Sequence, residues 1–481
     1  MAGDGIVDRQ SGCTGELTVL TITPDVPWGI LGSMRFTDEQ PFLDAIFQRY
    51  HDDTPRWVYA EYLDQCGDPE RAELIRLQLT LARLPDDHSA RPELTDRIAG
   101  LLTEHSREWT AELGDLVAGV EFRRGIADSF AVEAEQFLCR GAELLKRVRL
   151  HRLRLLDASD HLAELANCPL LAQVSELDLC SNDLTRGGLK LLLRSPYLKR
   201  LTALDLAFTG LDDAGVAALA ASTALPRLTT LSLGDNEGVS SEGIGSLADS
   251  PFLSGLRSLD LSGNDIDERG IRALVASRTL SRLDTLRLNG NPVGDGGVRE
   301  LARSSLLNRL LARSGRLELR EVATGANGAE ALAECPALTG CNSLDLSDNH
   351  LGDRGFSALL RSRHTSRLRH LRVARNQITD AGILTARDVL SRTLPRLHTL
   401  DLSGNRLTRY GVGLLLGWKG DSAVVVDTTG NVQTLTDAEA PVTVGQVLNN
   451  VLQEVAVTAA LRHRITHPAC PRRPCPPNAN G

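Results

Sequence analysis

Apolar positions along this chain change their spacing twice, and each change predicts a different kind of element. Between Phe36 and Leu84 they keep a helical period. Phe42, Leu43, Ile46 and Phe47 make one face. Trp57, Val58, Ala60, Tyr62 and Leu63 make a second. Leu74, Ile75, Leu77, Leu79 and Leu81 make a third. The third helix comes after the turn Gly67-Asp68-Pro69-Glu70, where Asp68 suits the N-cap and Pro69 the first helical position. Thr37, with Gln40 three residues on, has the form of a capping box at the start of the first helix. A fourth helix is expected over Glu93–Leu113.

From Leu150 onward the pattern becomes a repeat of the form Leu-x-x-Leu-x-Leu-x-x-Asn. Its asparagine position falls at Asn182, Thr209, Asn236, Asn264, Asn291, Val322, Asn349, Asn376 and Asn405. An earlier unit ends at Ala158 and a last one at Asn431. Steps are mostly 27 or 28 residues, and a step of 31 into Val322 marks an irregular unit expected to bend or interrupt the sheet. Glycine recurs six residues after the asparagine position, from Gly188 to Gly411, with Gly243 displaced by one. Alternation such as Leu177-Asp178-Leu179 predicts a short strand in each unit. The asparagine amide is expected to turn inward onto backbone groups freed where the chain leaves that strand. A capping residue (Thr185, Asp212, Asp267, Thr379, Thr408) then opens a helix that packs back on the sheet. Ser195-Pro196 and Ser250-Pro251 close two of these helices.

Two resemblances attach to these residues. A unit of this length with a full helix resembles the ribonuclease-inhibitor-like class of leucine-rich repeats. That implies an α/β horseshoe solenoid with a parallel sheet inside and helices outside. The strings Asp52 to Leu63 and Gly67 to Gln78 resemble the bacterial repeat-companion domain, a small all-α module that precedes repeats. Val120 to Gly125 is similar to the segment just downstream of that module in such proteins. This resemblance implies neither an enzymatic activity nor a ligand.

The expected organisation begins with an arm or mis-assigned start over 1–33, with translation beginning at Met34. A helical module over 34–116 and a solenoid over 117–431 come next. A helical cap over 432–465 and a proline-dense tail over 466–481 complete it.

Bulk properties narrow the function. A formal net charge of −9 argues against nucleic acid as the main partner. Nine cysteines without Cys-x-x-Cys spacing read as reduced, mostly buried thiols of a cytoplasmic protein. The chain holds no apolar run of membrane-spanning length. It also lacks a phosphate-binding loop, a His-Glu-x-x-His motif and a nucleophile elbow. His364, His370 and His398 read as surface histidines, and the tail's His463, His467, Cys470 and Cys475 only loosely suggest zinc. No catalytic residue, cofactor or metal is therefore assigned.

The strand position between the paired leucines faces the inside of the curve. It carries Asp178, Asp205, Asp260, Arg287, Glu318, Asp345, Arg372 and Asp401. One reading makes this strip a docking surface for a basic protein, bound by a monomer. The other takes Leu-Asp-Leu-Ser-x-Asn as simply the common form of the repeat. The expected function is a non-catalytic protein–protein interaction scaffold. An effector or ligase-type enzyme and a purely structural protein are the alternatives.

Overall fold

A computed structural model describes residues 39–84, 88, 90–185, 187–385, 394–416 and 424–431. The Met34 start, the Thr37 cap, the 432–465 cap and the tail with its histidines and cysteines lie outside them.

The chain opens with four helices, α1 (Gln40–Gln48), α2 (Thr54–Cys66), α3 (Pro69–Arg83) and α4 (Arg91–Trp109). Asp68 accepts from the Arg71 amide at 3.1 Å with Pro69 beside it, as the turn sequence requires. The first helix departs from expectation. Glu39 stands at its N-cap, and Gln40 is the first helical residue rather than a capping partner. The Glu39 carboxylate instead accepts from the Tyr59 hydroxyl at 2.6 Å and from Arg71 at 3.1 Å, tying three helices together. The face of α2 is also rotated. Val58 is exposed, whereas Arg56 and Tyr59 are fully buried. Arg56 donates from Nη1 to the Tyr50 and Asp52 carbonyls at 2.8 and 3.1 Å, while its buried Nε and Nη2 meet no hydrogen-bond partner among the described residues. The expected fourth helix ends earlier, at Trp109, and a 3-10 turn over Ala111–Leu116 completes the segment.

An antiparallel hairpin comes next, β1 (Gly119–Arg123) with β2 (Ile126–Glu133). Its two-residue turn, Arg124-Gly125, has positive φ at both positions, as tight hairpins favour. A Cβ on Gly125 would lie 2.3 Å from the Cα of Ile75, so this turn and α3 pack backbone to backbone. Gln78 bonds both sides of the hairpin end, donating to the Phe122 carbonyl and accepting from the Gly125 amide. Ile126 joins the core of the helical module while Phe130 and Val132 join that of the repeats. The hairpin is thus the seam between the two.

β2 then pairs in parallel with β3 (Arg152–Leu156), and one strand per unit continues the sheet. These are β4 (Glu176–Asp178), β5 (Ala203–Asp205), β6 (Thr230–Ser232), β7 (Ser258–Asp260) and β8 (Thr285–Arg287). A second sheet holds β9 (Arg316–Glu318), β10 (Ser343–Asp345), β11 (His370–Arg372), β12 (Thr399–Asp401) and β13 (Val425–Asp427). The architecture is a leucine-rich-repeat solenoid. One leucine per strand, such as Leu177, Leu204, Leu231 and Leu259, stacks in register and forms a continuous core with the helix leucines behind it.

Three internal ladders hold the units together. The first is the asparagine ladder. Asn236 donates to the Leu206 and Leu233 carbonyls, both at 2.9 Å, and accepts from the Thr209 and Leu211 amides at 3.0 Å. Each side chain thus satisfies backbone groups of two successive units. Thr209 supports its own turn through a 2.7 Å bond to the Leu206 carbonyl. The second ladder explains the recurring glycine at Gly243, Gly328, Gly382 and Gly411. Asp213 caps the next unit by accepting from the Ser240 and Gly243 amides, and a Cβ on Gly243 would lie 2.4 Å from that carboxylate. Asp295 holds Gly328 and Asp353 approaches Gly382 in the same way. The third ladder runs along the helix ends. The hydroxyls of Ser250, Ser277 and Ser362 donate to an alanine carbonyl one unit back, and the Cys335 thiol does so at 2.9 Å.

The irregular unit interrupts the sheet, as its length suggested. No strand pairing joins β8 to β9. A ten-residue helix, Ser305–Ser314, replaces the short turn found elsewhere and packs Leu306, Leu307, Leu310 and Leu311 into the core between them. Continuity returns only at the exit turn, where Gly290 and Gly294 donate to the Arg320 and Val322 carbonyls, both at 2.9 Å.

Burial of the cysteines is less general than expected. Among the described residues Cys168, Cys335 and Cys341 are buried, but Cys66 and Cys139 are exposed. Burial pushes the Cys341 thiol up to about 12.

Candidate interaction surface

All eight strip residues lie at the inward-facing strand position. The break divides them into two groups of four, Asp178 to Arg287 on the first sheet and Glu318 to Asp401 on the second. The aspartates share a bond that the repeat itself imposes. The carboxylates of Asp178, Asp205, Asp260, Asp345 and Asp401 each accept from the backbone amide two residues on, at 2.9–3.1 Å. One oxygen of each therefore fixes the exit of its own strand. The other oxygen is often paired as well. Arg152 meets Asp178 at 2.7 Å, Arg287 meets Asp260 at 3.1 Å and Arg372 lies 3.8 Å from Asp345. Among the described residues, Asp205, Glu318 and Asp401 form no ion pair. Burial, and then the charge of neighbouring Asp178, pushes the Asp205 carboxyl above its ordinary range.

A second polar cluster sits where the helical module meets the first strands, and no sequence spacing announced it. The Tyr50 hydroxyl donates to Asp128, a buried carboxylate on β2. The Tyr50 ring stacks on His151 with centroids 3.6 Å apart, and the Arg56 guanidinium lies 5.1 Å from the centroid of the same tyrosine ring. His151 meets Glu176 at 3.3 Å and Arg123 meets it at 3.4 Å. Burial pushes the Tyr50 hydroxyl and the Asp128 carboxyl up. Burial acts the same way on Glu176, but the bond and charge of His151, with Arg123 and Arg152, outweigh it and hold that carboxyl low. Tyr50 and Asp128 are 78 residues apart in sequence, so only the docking of module on hairpin brings them together.

The repeat histidines stay apart from any such cluster. His364 bonds Thr339 at 3.1 Å, and the His370 and His398 rings lie 6.3 Å apart. Among the described residues no three His, Cys, Asp or Glu side chains gather as metal ligands would, and no helix is long and apolar enough to cross a membrane.

A family model agrees with the repeat geometry. Residues 199–220, 255–275, 280–302, 342–360 and 366–385 match the family model described as Leucine Rich repeat. No curated protein matches the chain. Among solved structures it is similar to an internalin from Listeria monocytogenes, with 18% identity and a TM-score of 0.33. That similarity covers 58% of this chain and 90% of the internalin chain.

Proposed function

We propose that this protein is a non-catalytic scaffold that holds a protein partner within the curve of its sheet. The observation that carries the reading is the inward strip itself. Within each of the two sheets, repetition sets one polar side chain per strand at a fixed pitch over a leucine core, which suits contact with an extended surface. The partner is basic, drawn by Asp205, Glu318 and Asp401, the acids of the strip without an arginine partner. The repeats belong to the ribonuclease-inhibitor-like class, supported by outer helices of eight to ten residues such as Asp213–Ala220 and Gly352–Arg361. The helical module is a repeat-companion domain of a bacterial, cytoplasmic, monomeric protein, and its packing against the hairpin closes the N-terminal end of the repeat core.

Titration of the full chain with a fluorescent lysine-rich peptide tests the basic-partner reading. Binding should saturate, and Glu318→Lys combined with Asp205→Asn should weaken it about tenfold while the far-ultraviolet spectrum is unchanged. Equal affinity for the parent and the double variant would overturn it.

A further inference from the structure

The two edges of the solenoid differ in charge, acids predominating where strands end and arginines where helices return to strands. At the edge where strands end, acids predominate and most are engaged. Asp213, Asp295 and Asp353 cap the following unit, while Asp212 and Asp267 cap their own helices. At the opposite edge, helices return to strands through loops between Ser195 and Thr399. Among the described residues of those loops the acids are Asp249, Asp284 and Glu334, and Asp284 is paired with Arg257 at 3.6 Å. Every loop but Glu334–Asn342 carries arginine or lysine.

One position is periodic. Three residues before the strand stand Arg200, Arg227, Arg282, Arg313, Arg367 and Arg396, all exposed. None of the six forms an ion pair among the described residues. Arg200 and Arg227, and likewise Arg367 and Arg396, precede paired neighbouring strands, where like charges repel. We infer that this edge is a docking surface for an acidic, extended segment of a partner protein.

The chemistry selects that occupant. Guanidinium groups bind carboxylates through paired hydrogen bonds, and a row of them reads a run of glutamate or aspartate. On the first sheet, from β5 to β8, Arg200, Arg227 and Arg282 span about 14 Å at ~4.8 Å per strand, the length of about four extended residues. Single-stranded nucleic acid needs successive stacking rings, whereas Phe252 is the exposed large aromatic of these loops among the described residues. The acidic edge of a second copy is a poor complement because most of its carboxylates are engaged in caps.

This proposal is independent of the inward strip, since it uses a different edge and a probe of opposite charge. A fluorescent glutamate-rich peptide of about a dozen residues is titrated into the full chain, beside an oligouridylate of equal charge, with mass followed by light scattering. The peptide should bind saturably and more tightly than the oligonucleotide. The triple variant Arg200→Glu, Arg227→Glu, Arg282→Glu should lose about tenfold or more, and Arg269→Glu, Arg299→Glu, Arg406→Glu, off the edge, less than about twofold. Absent peptide binding or equal loss in both triples would overturn the proposal. So would tighter oligonucleotide binding, or a doubled mass that the first triple abolishes.

Discussion

At the scale of single residues, the repeat's markers are contacts between units. Asn376 donates to the Leu346 and Ala374 carbonyls and accepts from the Leu351 amide, all in the core. Asn376→Ala leaves these groups unmet and should cost about 2–4 kcal/mol in urea unfolding. Two glycines of one helix make a sharper test. Gly243 abuts the Asp213 carboxylate, whereas nothing lies within 4 Å of a Cβ on Gly245. Gly243→Ala should destabilise by about 1–3 kcal/mol, and Gly245→Ala should stabilise by about 0.5–1 kcal/mol. Asp205 gives a pH-dependent case. Its carboxyl is raised in the fold, so the folded chain holds the proton more tightly than the unfolded one. Stability from this group therefore falls as pH rises through the raised value. Asp205→Asn should melt higher than the parent at neutral pH, with the gap closing on acidification into the carboxylate range. Asparagine and glycine were legible in the sequence as a pattern. The reason for Gly243, Gly328, Gly382 and Gly411 was not, because it lies in an aspartate one unit earlier.

Among elements, the inserted helix Ser305–Ser314 is the exception that shapes the rest. In regular units the amide after the strand bonds the next strand, as Leu261 does to the Arg287 carbonyl at 3.0 Å. At the break no such bond runs from Leu288 to Glu318. Hydrogen exchange should therefore find the Leu288 amide less protected than those of Leu233 and Leu261, and equal protection would contradict the break. Leu307 is fully buried between the two sheets. Leu307→Ala should cost about 2–5 kcal/mol and speed exchange on both sides. The 31-residue step showed where the unit departs from the pattern. That the surplus forms a helix which separates two strands depends on its leucines finding core to fill, which spacing alone does not state.

For the whole molecule, a solenoid's stability is a sum over units and their interfaces, so it is weakest where an interface is thinnest. Loss of Asn376 should melt residues 316–431 at lower denaturant than residues 119–287, seen as two exchange fronts; a single concerted front would show that the inserted helix couples the blocks fully. The sequence by itself determined the repeat, its register, the inward strip and the place of the irregular unit. Those features are local and recur, so periodicity exposes them. Tertiary structure decided what the charges do. It engaged the strip's aspartates with their own backbone and several with arginines. It gathered Tyr50, Asp128, His151 and Glu176 at the module's seam, and it sorted the loops into an acidic edge and an arginine edge. Each of these depends on which residues become neighbours across units, and a one-dimensional pattern does not carry those distances.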